Sequence, residues 1–210
     1  MNESKAREQI VVLAKSLFDR GLSAGSSGNI SVRVDGGWLI TPTNSCLGRL
    51  DPARISKIDD GGKLLSGDKP SKEEFLHLAM YGERPRSNAV VHLHSTHAVA
   101  VSVLARDNAV DPIPPITAYY VMKIGKLILL PYFPPGDSSL ANAVKQVASK
   151  HHAVLLANHG PIVAGDDLES AVYATEELEE TAKLYLMLRH EKLKLLTAEQ
   201  VDDLGRRFPS

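Results

Sequence analysis

The sequence predicts an α/β fold in which helices cover a mixed or largely antiparallel sheet. Three observations predict it. Helical and strand-like hydrophobic periods both occur along the 210 residues. One pair of strand-like runs flanks a hairpin signal at residues 35–37. Helices and strands are interspersed without the strict alternation of a parallel βαβ fold. At roughly 150 residues per domain, the length favours a single domain over residues 1–210.

The first half of the chain contains two helices and at least two strands. Apolar residues on one face predict the first helix, which ends near Gly21; they are Ile10, Leu13, Ala14, Leu17 and Phe18. Strands are predicted at 30–34 and 38–41, and residues 59–62 indicate another turn before residues 63–65. Ser71 and Glu74 have the spacing of a capping box, which predicts a helix over 71–81.

The second half alternates strands and helices. Strands are predicted at 88–93, 127–130, 153–156 and 161–164. Helices are predicted from after Ser95-Thr96 to about residue 105 and at 138–150. A long helix begins near Asp167 and carries Ala171, Ala174, Leu178, Ala182, Tyr185 and Leu186 on its inner side. Its other side is expected to be a solvated face and consists of Glu176, Glu177, Glu179 and Glu180. Thr197 and Gln200 offer a capping box for a last short helix.

Composition excludes several function classes. The 24 basic and 25 acidic residues give a net charge of −1, which argues against a general nucleic-acid binder. One cysteine, Cys46, cannot form an internal disulfide and favours a reducing compartment. The charged N-terminus does not resemble a signal peptide, and no apolar run approaches the roughly 18–20 residues that span a bilayer. We therefore expect a cytoplasmic protein without nucleic-acid or membrane partners.

A His-x-His pair is the sharpest chemical signal. Alternate residues of a strand face the same side, so His92 and His94 are expected to project together. Two imidazoles on one face make two corners of a metal site. The alternative is a pair of hydrogen-bonded histidines at a sheet edge.

A third histidine would complete the metal site. His159 lies in an Asn-His-Gly turn after an apolar strand, and His97, on the next helix, competes for the same place. The other histidines have ordinary interpretations: His151 and His152 as surface residues, and His77 and His190 as packing residues of helices.

Segment 68–74 combines a helix start with polar and charged side chains. Helix N-termini carry unpaired N–H groups and partial positive charge, so Ser71 and Lys72 are well placed for an anion such as phosphate. The capping box explains Glu74 and leaves Glu73 without a structural role. The alternative for Glu73 is an acidic first-turn residue favoured by the helix dipole.

Two loops are rich in small hydrogen-bonding residues. One contains Ser26, Ser27 and Asn29, and the other, at 41–45, contains Thr43 and Asn44. Such loops either wrap a phosphate or form plain turns.

Together these segments resemble the class II aldolase/adducin family. The matching motifs occur in the family order over nearly the whole chain: Ser26-Ser27-Gly28-Asn29-Ile30-Ser31, Thr41-Pro42-Thr43, Pro70-Ser71-Lys72-Glu73, His92-Leu93-His94 and Ala157-Asn158-His159-Gly160.

The resemblance implies a three-layer α/β/α fold and a homotetramer with active sites between subunits. It implies one Zn²⁺ per subunit held by His92, His94 and His159, with Glu73 as acid/base. Partial burial is expected to raise the pKa of Glu73. The phosphate of a small phosphorylated sugar-acid substrate would be bound by Ser26, Ser27, Asn29, Thr43, Asn44, Ser71 and Lys72.

Segments 41–51 and 119–123 look most like the 3-oxo-tetronate 4-phosphate decarboxylase branch of the family. That resemblance implies zinc-dependent loss of CO₂ through a metal-bound enediolate, giving dihydroxyacetone phosphate. Glu73 counts against the epimerases, which look to carry Asp there. Two alternatives remain: an L-fuculose-1-phosphate aldolase-like enzyme, in which Tyr119 or Tyr120 would handle the alkoxide proton, and a non-catalytic adducin-like scaffold.

Overall fold

The computed structural model describes residues 2–104, 111–134 and 136–208 of the chain. Within these residues it contains seven α-helices: α1 Glu3–Asp19, α2 Glu74–Glu83, α3 Thr96–Val103, α4 Ala118–Lys123, α5 Ser139–Ala148, α6 Leu168–Leu188 and α7 Ala198–Arg207. The strands there are β1 Asn29–Val34, β2 Gly37–Ile40, β3 Ser56–Ile58, β4 Leu64–Ser66, β5 Ala89–His92, β6 Ile128–Leu130, β7 Ala153–Leu156 and β8 Gly160–Gly165.

These strands form one sheet in the order β4-β3-β2-β1-β5-β8-β7-β6. The pairing of β6 with β7 is parallel, and the other neighbouring pairs are antiparallel. Val34 pairs with Gly37, so the predicted hairpin has a two-residue turn. The mixed, largely antiparallel sheet is therefore confirmed.

Helices cover both faces of this sheet, which confirms the three-layer α/β/α arrangement. On one face, buried residues of α1 and α6 pack against Ile30, Val32 and Val91. Farther along the same face, α3, α4 and α6 pack against Leu155 and Val163. On the opposite face, α2 and α5 pack against the alternate residues of the same strands, such as Val90 and Val154. Alternate residues of each strand therefore point to opposite faces of the sheet and pack in two separate apolar layers.

The start of α2 differs from the capping-box prediction. The helix begins at Glu74, and the Ser71 hydroxyl accepts a hydrogen bond from the N–H of Glu73 rather than that of Glu74. The reason is that the preceding segment is held extended beside the end of β2. The N–H of Ser71 donates to the carbonyl of Thr41, and that of Thr43 donates to Lys69. In contrast, the capping box of Thr197 and Gln200 is present at α7.

The expectation that Glu179 lies on a solvated face of α6 is wrong. This side chain is buried because its carboxylate caps α3, accepting hydrogen bonds from the N–H groups of His97 and Ala98. Helix α4 and strand β3 are short elements that the sequence analysis did not predict. The expected end of α3 near residue 105 lies outside the described residues.

Among the residues that the structure describes, no helix combines the length and apolarity needed to cross a bilayer.

Candidate active site

The antiparallel pairings bring four chain segments to one edge of the sheet. Strand β1 begins beside the end of β2 on one side and the end of β5 on the other. Strand β8 begins beside the end of β5. The loop before β1, the segment after β2, the residues after β5 and the β7–β8 turn therefore meet. The start of α2 joins them through the bonds to Thr41 and Thr43 described above.

Three histidines converge at this edge. His92 is the last residue of β5, His94 lies two residues beyond it, and His159 lies in the turn between β7 and β8. The Nε2 atom of His92 is 3.2 Å from Nε2 of His94 and 3.3 Å from Nε2 of His159. The Nδ1 atom of His92 donates to the carbonyl of Pro161 over 2.8 Å, which leaves its Nε2 as the atom with a lone pair in the neutral ring.

The β7–β8 turn lies against the backbone after β5 because residue 160 has no side chain. Gly160 has a positive φ of 142°, and a Cβ there would overlap the carbonyl oxygen of Leu93. Asn158, with a φ of 59°, is one of the residue types that tolerate the left-handed region. This close contact places His159 next to the His92–His94 pair.

Glu73 is the fourth member of the cluster and stands at the N-cap of α2. Its Oε1 is 3.1 Å from Nε2 of His159, and its Oε2 is 3.6 Å from Nε2 of His92. Burial raises the pKa of Glu73, but contacts with protonated His159 and His92 and with the Asn29 amide outweigh it, so that without a metal ion the pKa lies well below its ordinary value. The raised pKa expected from partial burial is therefore wrong for this carboxyl.

The donor set fits a divalent metal ion. One ligand atom from each of these four residues lies within 4.8 Å of the other three. Tetrahedral zinc with Zn–N bonds of 2.0–2.1 Å requires nitrogen atoms about 3.3 Å apart, and the two measured Nε2 separations match that value. Burial, together with the neighbouring His92 and His159, lowers the pKa of His94 to about 4, so its lone pair is free near neutral pH.

The other histidines lie outside this cluster. The Nδ1 of His97 is 2.8 Å from Glu179 on α6, where it helps to hold the cap of α3. It is therefore not the third member.

A cavity of about 300 Å³ lies directly in front of Glu73 and His94. The residues predicted to bind a phosphate all line it: Ser26, Ser27, Asn29, Thr43, Asn44, Ser71 and Lys72. Lys72 is exposed, and Asn44 has a left-handed φ of 56°. The structure thus brings together polar side chains that are up to 46 positions apart in the sequence, from Ser26 to Lys72.

Ser27 and Asn29, like Ser71, already have side-chain partners within the protein. The hydroxyl of Ser27 donates to the carbonyl of Ala24 over 2.7 Å and so closes its own turn. The amide of Asn29 is buried and donates from Nδ2 to Oε2 of Glu73 over 2.7 Å. The backbone N–H of Ser27 also donates to the carbonyl of Ala24, so both donors of Ser27 are in use within its turn. Asn29 keeps one amide hydrogen for a ligand.

Neither candidate tyrosine lies at the cavity of its own chain. Tyr120 is buried, its hydroxyl donates to the carbonyl of Ile113 over 3.4 Å, and burial raises its pKa. Tyr119 points away on α4 with 64% of its surface exposed. The expected role of Tyr119 or Tyr120 at an active site between subunits therefore stays a prediction.

Sequence reasoning missed three residues behind Glu73, namely Ser31, His77 and Tyr81. His77 was interpreted as a packing residue, but both of its ring nitrogens are hydrogen-bonded inside the protein. Glu73, His77 and Tyr81 are spaced four residues apart, which predicts that they lie on one face of a helix. This spacing is the sequence signal that connects His77 and Tyr81 to Glu73.

Known proteins resemble this chain over most of its length. The family model of the class II aldolase and adducin N-terminal domain matches residues 8–186. The 3-oxo-tetronate 4-phosphate decarboxylase of Pectobacterium atrosepticum is 47% identical over 205 residues, covering 97% of this chain and 94% of the relative. The L-fuculose phosphate aldolase of Haemophilus influenzae is 34% identical over 213 residues, covering 99% and 95% respectively.

A solved structure agrees as well. The crystal structure of YgbL from Klebsiella pneumoniae has a TM-score of 0.95 at 44% identity and covers 97% of this chain and 99% of its own. The two curated relatives above are lyases by name, which confirms the expected enzyme class. With a family model that matches most of its length and relatives well above 30% identity, this chain belongs to the class II aldolase and adducin family.

Proposed function

We propose that the protein decarboxylates a 3-oxo-tetronate 4-phosphate to dihydroxyacetone phosphate and CO₂. The observation that carries the proposal is the convergence of three imidazole Nε2 atoms and Glu73 at the end of a polar cavity. The name of the relative at 47% identity supports the choice of substrate.

The metal ion would be held by His92, His94 and His159, and Zn²⁺ is the proposed ion. When bound, it supplies a Lewis acid next to the substrate carbonyl, with a charge that neutral imidazoles do not offset.

Glu73 is proposed to deliver the proton that the reaction needs. The bond between C1 and C2 breaks, CO₂ leaves, and the electron pair moves onto the C3 carbonyl to give an enediolate. Protonation at C2 then gives dihydroxyacetone phosphate, and the proton is replaced from solvent. The carboxylate of Glu73 lines the cavity beside His94, where it would act on a substrate carbon next to the reacting carbonyl.

The remainder of the cavity would hold the phosphate. Lys72 supplies a positive charge, and the hydroxyls of Thr43, Ser26 and Ser71 line the same wall. Contacts far from the reacting bond keep the substrate in register and contribute to the rate through orientation.

We further propose that the active enzyme is a homotetramer with sites between subunits. Tyr119 supports this, because a tyrosine with 64% exposure that lies away from its own cavity is available to a neighbouring subunit. A phosphorylated metabolite as substrate and a single cysteine favour the cytoplasm as its compartment.

The test is incubation with 3-oxo-tetronate 4-phosphate and, separately, with ketose 1-phosphates, following CO₂ and aldehyde release. We expect CO₂ and dihydroxyacetone phosphate from the first substrate. Aldehyde release from a ketose 1-phosphate without CO₂ release from the first would favour the sugar-phosphate aldolase, which the relative at 34% identity suggests.

An adducin-like scaffold is the alternative of another class. Purification without chelators, followed by metal analysis, separates it from both enzymes, because a scaffold has no use for an open metal site. We expect about one zinc ion per subunit, and protein without stoichiometric metal would favour the scaffold.

A further inference from the structure

A line of buried polar groups runs from the back of Glu73 into the protein. The Nδ2 atom of Asn29 donates to Glu73, and the Oδ1 atom of the same amide is 2.6 Å from Nε2 of His77. The Nδ1 of His77 is 2.7 Å from the hydroxyl of Ser31, which is 2.8 Å from the hydroxyl of Tyr81. Ser31, His77 and Tyr81 are all at most 3% exposed.

The direction of donation along this line follows from the chemistry of each group. Because Nδ2 of Asn29 donates to Glu73, its Oδ1 faces His77, and a carbonyl oxygen only accepts. The Nε2 of His77 must therefore carry the proton and donate. Burial, with a smaller contribution from His92, lowers the pKa of His77 to about 3, so the ring is neutral and its Nδ1 is an acceptor.

The remaining two bonds are then determined. Ser31 has one hydroxyl hydrogen and gives it to Nδ1 of His77. The oxygen of Ser31 accepts from Tyr81, since its own hydrogen is in use. Each member donates toward Glu73, and the line ends on the carboxylate.

We propose that His77 and Tyr81 are positioning residues that hold the Asn29 amide with its N–H toward Glu73. The proposal rests on the proposed proton-carrying role of Glu73. In this proposal the main role of the Asn29 side chain is to donate a hydrogen bond to Glu73, and binding of the substrate phosphate is its second role.

The physical consequence is a carboxylate fixed in one orientation. Without the donor at Nε2 of His77, the Asn29 amide is free to flip and present its oxygen to Glu73, which would repel the carboxylate. Glu73 would then lose a charge-assisted hydrogen bond that helps to keep it facing the cavity. Supporting residues of this kind change activity by about 10- to 100-fold when mutated.

The first test reads the tautomer of His77 directly by NMR of ¹⁵N-histidine-labelled, zinc-loaded protein. We expect a neutral ring with the proton on Nε2, assigned by the loss of that signal in His77→Gln. A neutral ring with the proton on Nδ1, or an imidazolium, would overturn the proposal. This result does not depend on which reaction the enzyme catalyses.

The second test uses a matched pair of variants. The amide of His77→Gln reaches the position of Nε2 and can still donate to Asn29, whereas the shorter amide of His77→Asn reaches only the position of Nδ1. We expect kcat to fall about 10- to 100-fold in His77→Asn and to recover largely in His77→Gln, with zinc content unchanged in both. Equal activity of the two variants would overturn the proposal.

Further variants connect the line to Glu73. Tyr81→Phe removes the last hydroxyl while keeping the ring, and we expect a smaller fall in kcat than in His77→Asn. In an Asn29→Ala background, His77→Asn should have no further effect on kcat; full additivity would contradict the mechanism. Full turnover in Glu73→Gln would instead refute the proposed function and leave the tautomer result standing.

Discussion

At the scale of single residues, Glu73 is defined by what surrounds its two oxygens. One oxygen faces His159, and the other receives the Asn29 amide and lies near His92. A carboxyl so placed is a proton acceptor in the resting protein. To protonate the substrate carbon it must first gain a proton, which the proposed mechanism takes from solvent.

Replacing Glu73 with Gln tests this role. Glutamine has nearly the same shape and still accepts through its carbonyl, but it does not carry a proton. We expect a folded protein that retains zinc and whose kcat is reduced by about 10² or more, the usual contribution of general acid–base catalysis. Steady-state kinetics with metal analysis measure both quantities. Unchanged turnover would remove Glu73 from the mechanism.

His159 is the proposed metal ligand that is most distant in sequence from the others. We expect His159→Ala to lose bound metal and activity together, because two imidazoles remain where three are needed. The matched control is His190→Ala, an exposed histidine after α6 that should retain both. Metal analysis after dialysis measures the zinc content of both variants. Retained stoichiometric zinc in His159→Ala would show that the ligand assignment is wrong.

At the scale of elements, the site depends on how closely the β7–β8 turn approaches the end of β5. Hydrogen bonds between β5 and β8 bring the two strands together up to His92. Beyond that pair, the chain after β5 is in contact with Gly160, and the ring centroids of His94 and His159 lie 4.7 Å apart. The distance between two ligands is thus set by a backbone contact rather than by the histidines themselves.

Substitution of Gly160 with Ala should separate these ligands. The added methyl would overlap the Leu93 carbonyl, and the positive φ is unfavourable for alanine, so the turn must move. We expect weaker zinc affinity, measured by competition with a chelator, and a corresponding loss of activity. Gly82→Ala is the control, because a Cβ on this helical glycine meets open space. Equal zinc affinity in the two variants would contradict this account of the turn.

At the scale of the whole molecule, the sequence predicted the elements with strong periodicity and the order of the motifs. The amphipathic helix α1, the hairpin at residues 35–36 and the long helix α6 are where the pattern placed them. These features depend on local spacing, which a single sequence contains.

What the sequence did not predict depends on contacts between distant segments. The start of α2 was displaced by backbone bonds to residues 41–43, about 30 positions away. Glu179 is buried because α3 packs beside α6, although its local pattern is that of a solvated face. The partners of His77 come from β1, so periodicity alone could not separate a polar relay from ordinary helix packing.

The burial of His77 as a neutral ring also makes a prediction about the stability of the whole fold in acid. Its pKa is about 3 in the folded protein, where burial and His92 lower it and Glu73 raises it, whereas an unfolded histidine titrates near 6.5. Between these values the unfolded state binds more protons. Stability contributed by the neutral ring is therefore present above pH 6.5 and is lost as the pH falls toward 3.

We expect the free energy of unfolding of the metal-free protein to fall more steeply with decreasing pH in the parent than in His77→Gln. One such group contributes a slope of up to about 1.4 kcal/mol per pH unit. Urea titrations at pH values from 7 down to 4 measure both slopes, and the comparison is independent of any constant difference in stability between the variants. The other titrating groups are common to both proteins, so the difference in slope reports His77 together with its coupling to His92 and Glu73. Identical slopes would mean that His77 gains its proton as readily in the folded protein as in the unfolded chain, which a ring enclosed by Ser31, Asn29 and the core of α2 does not allow.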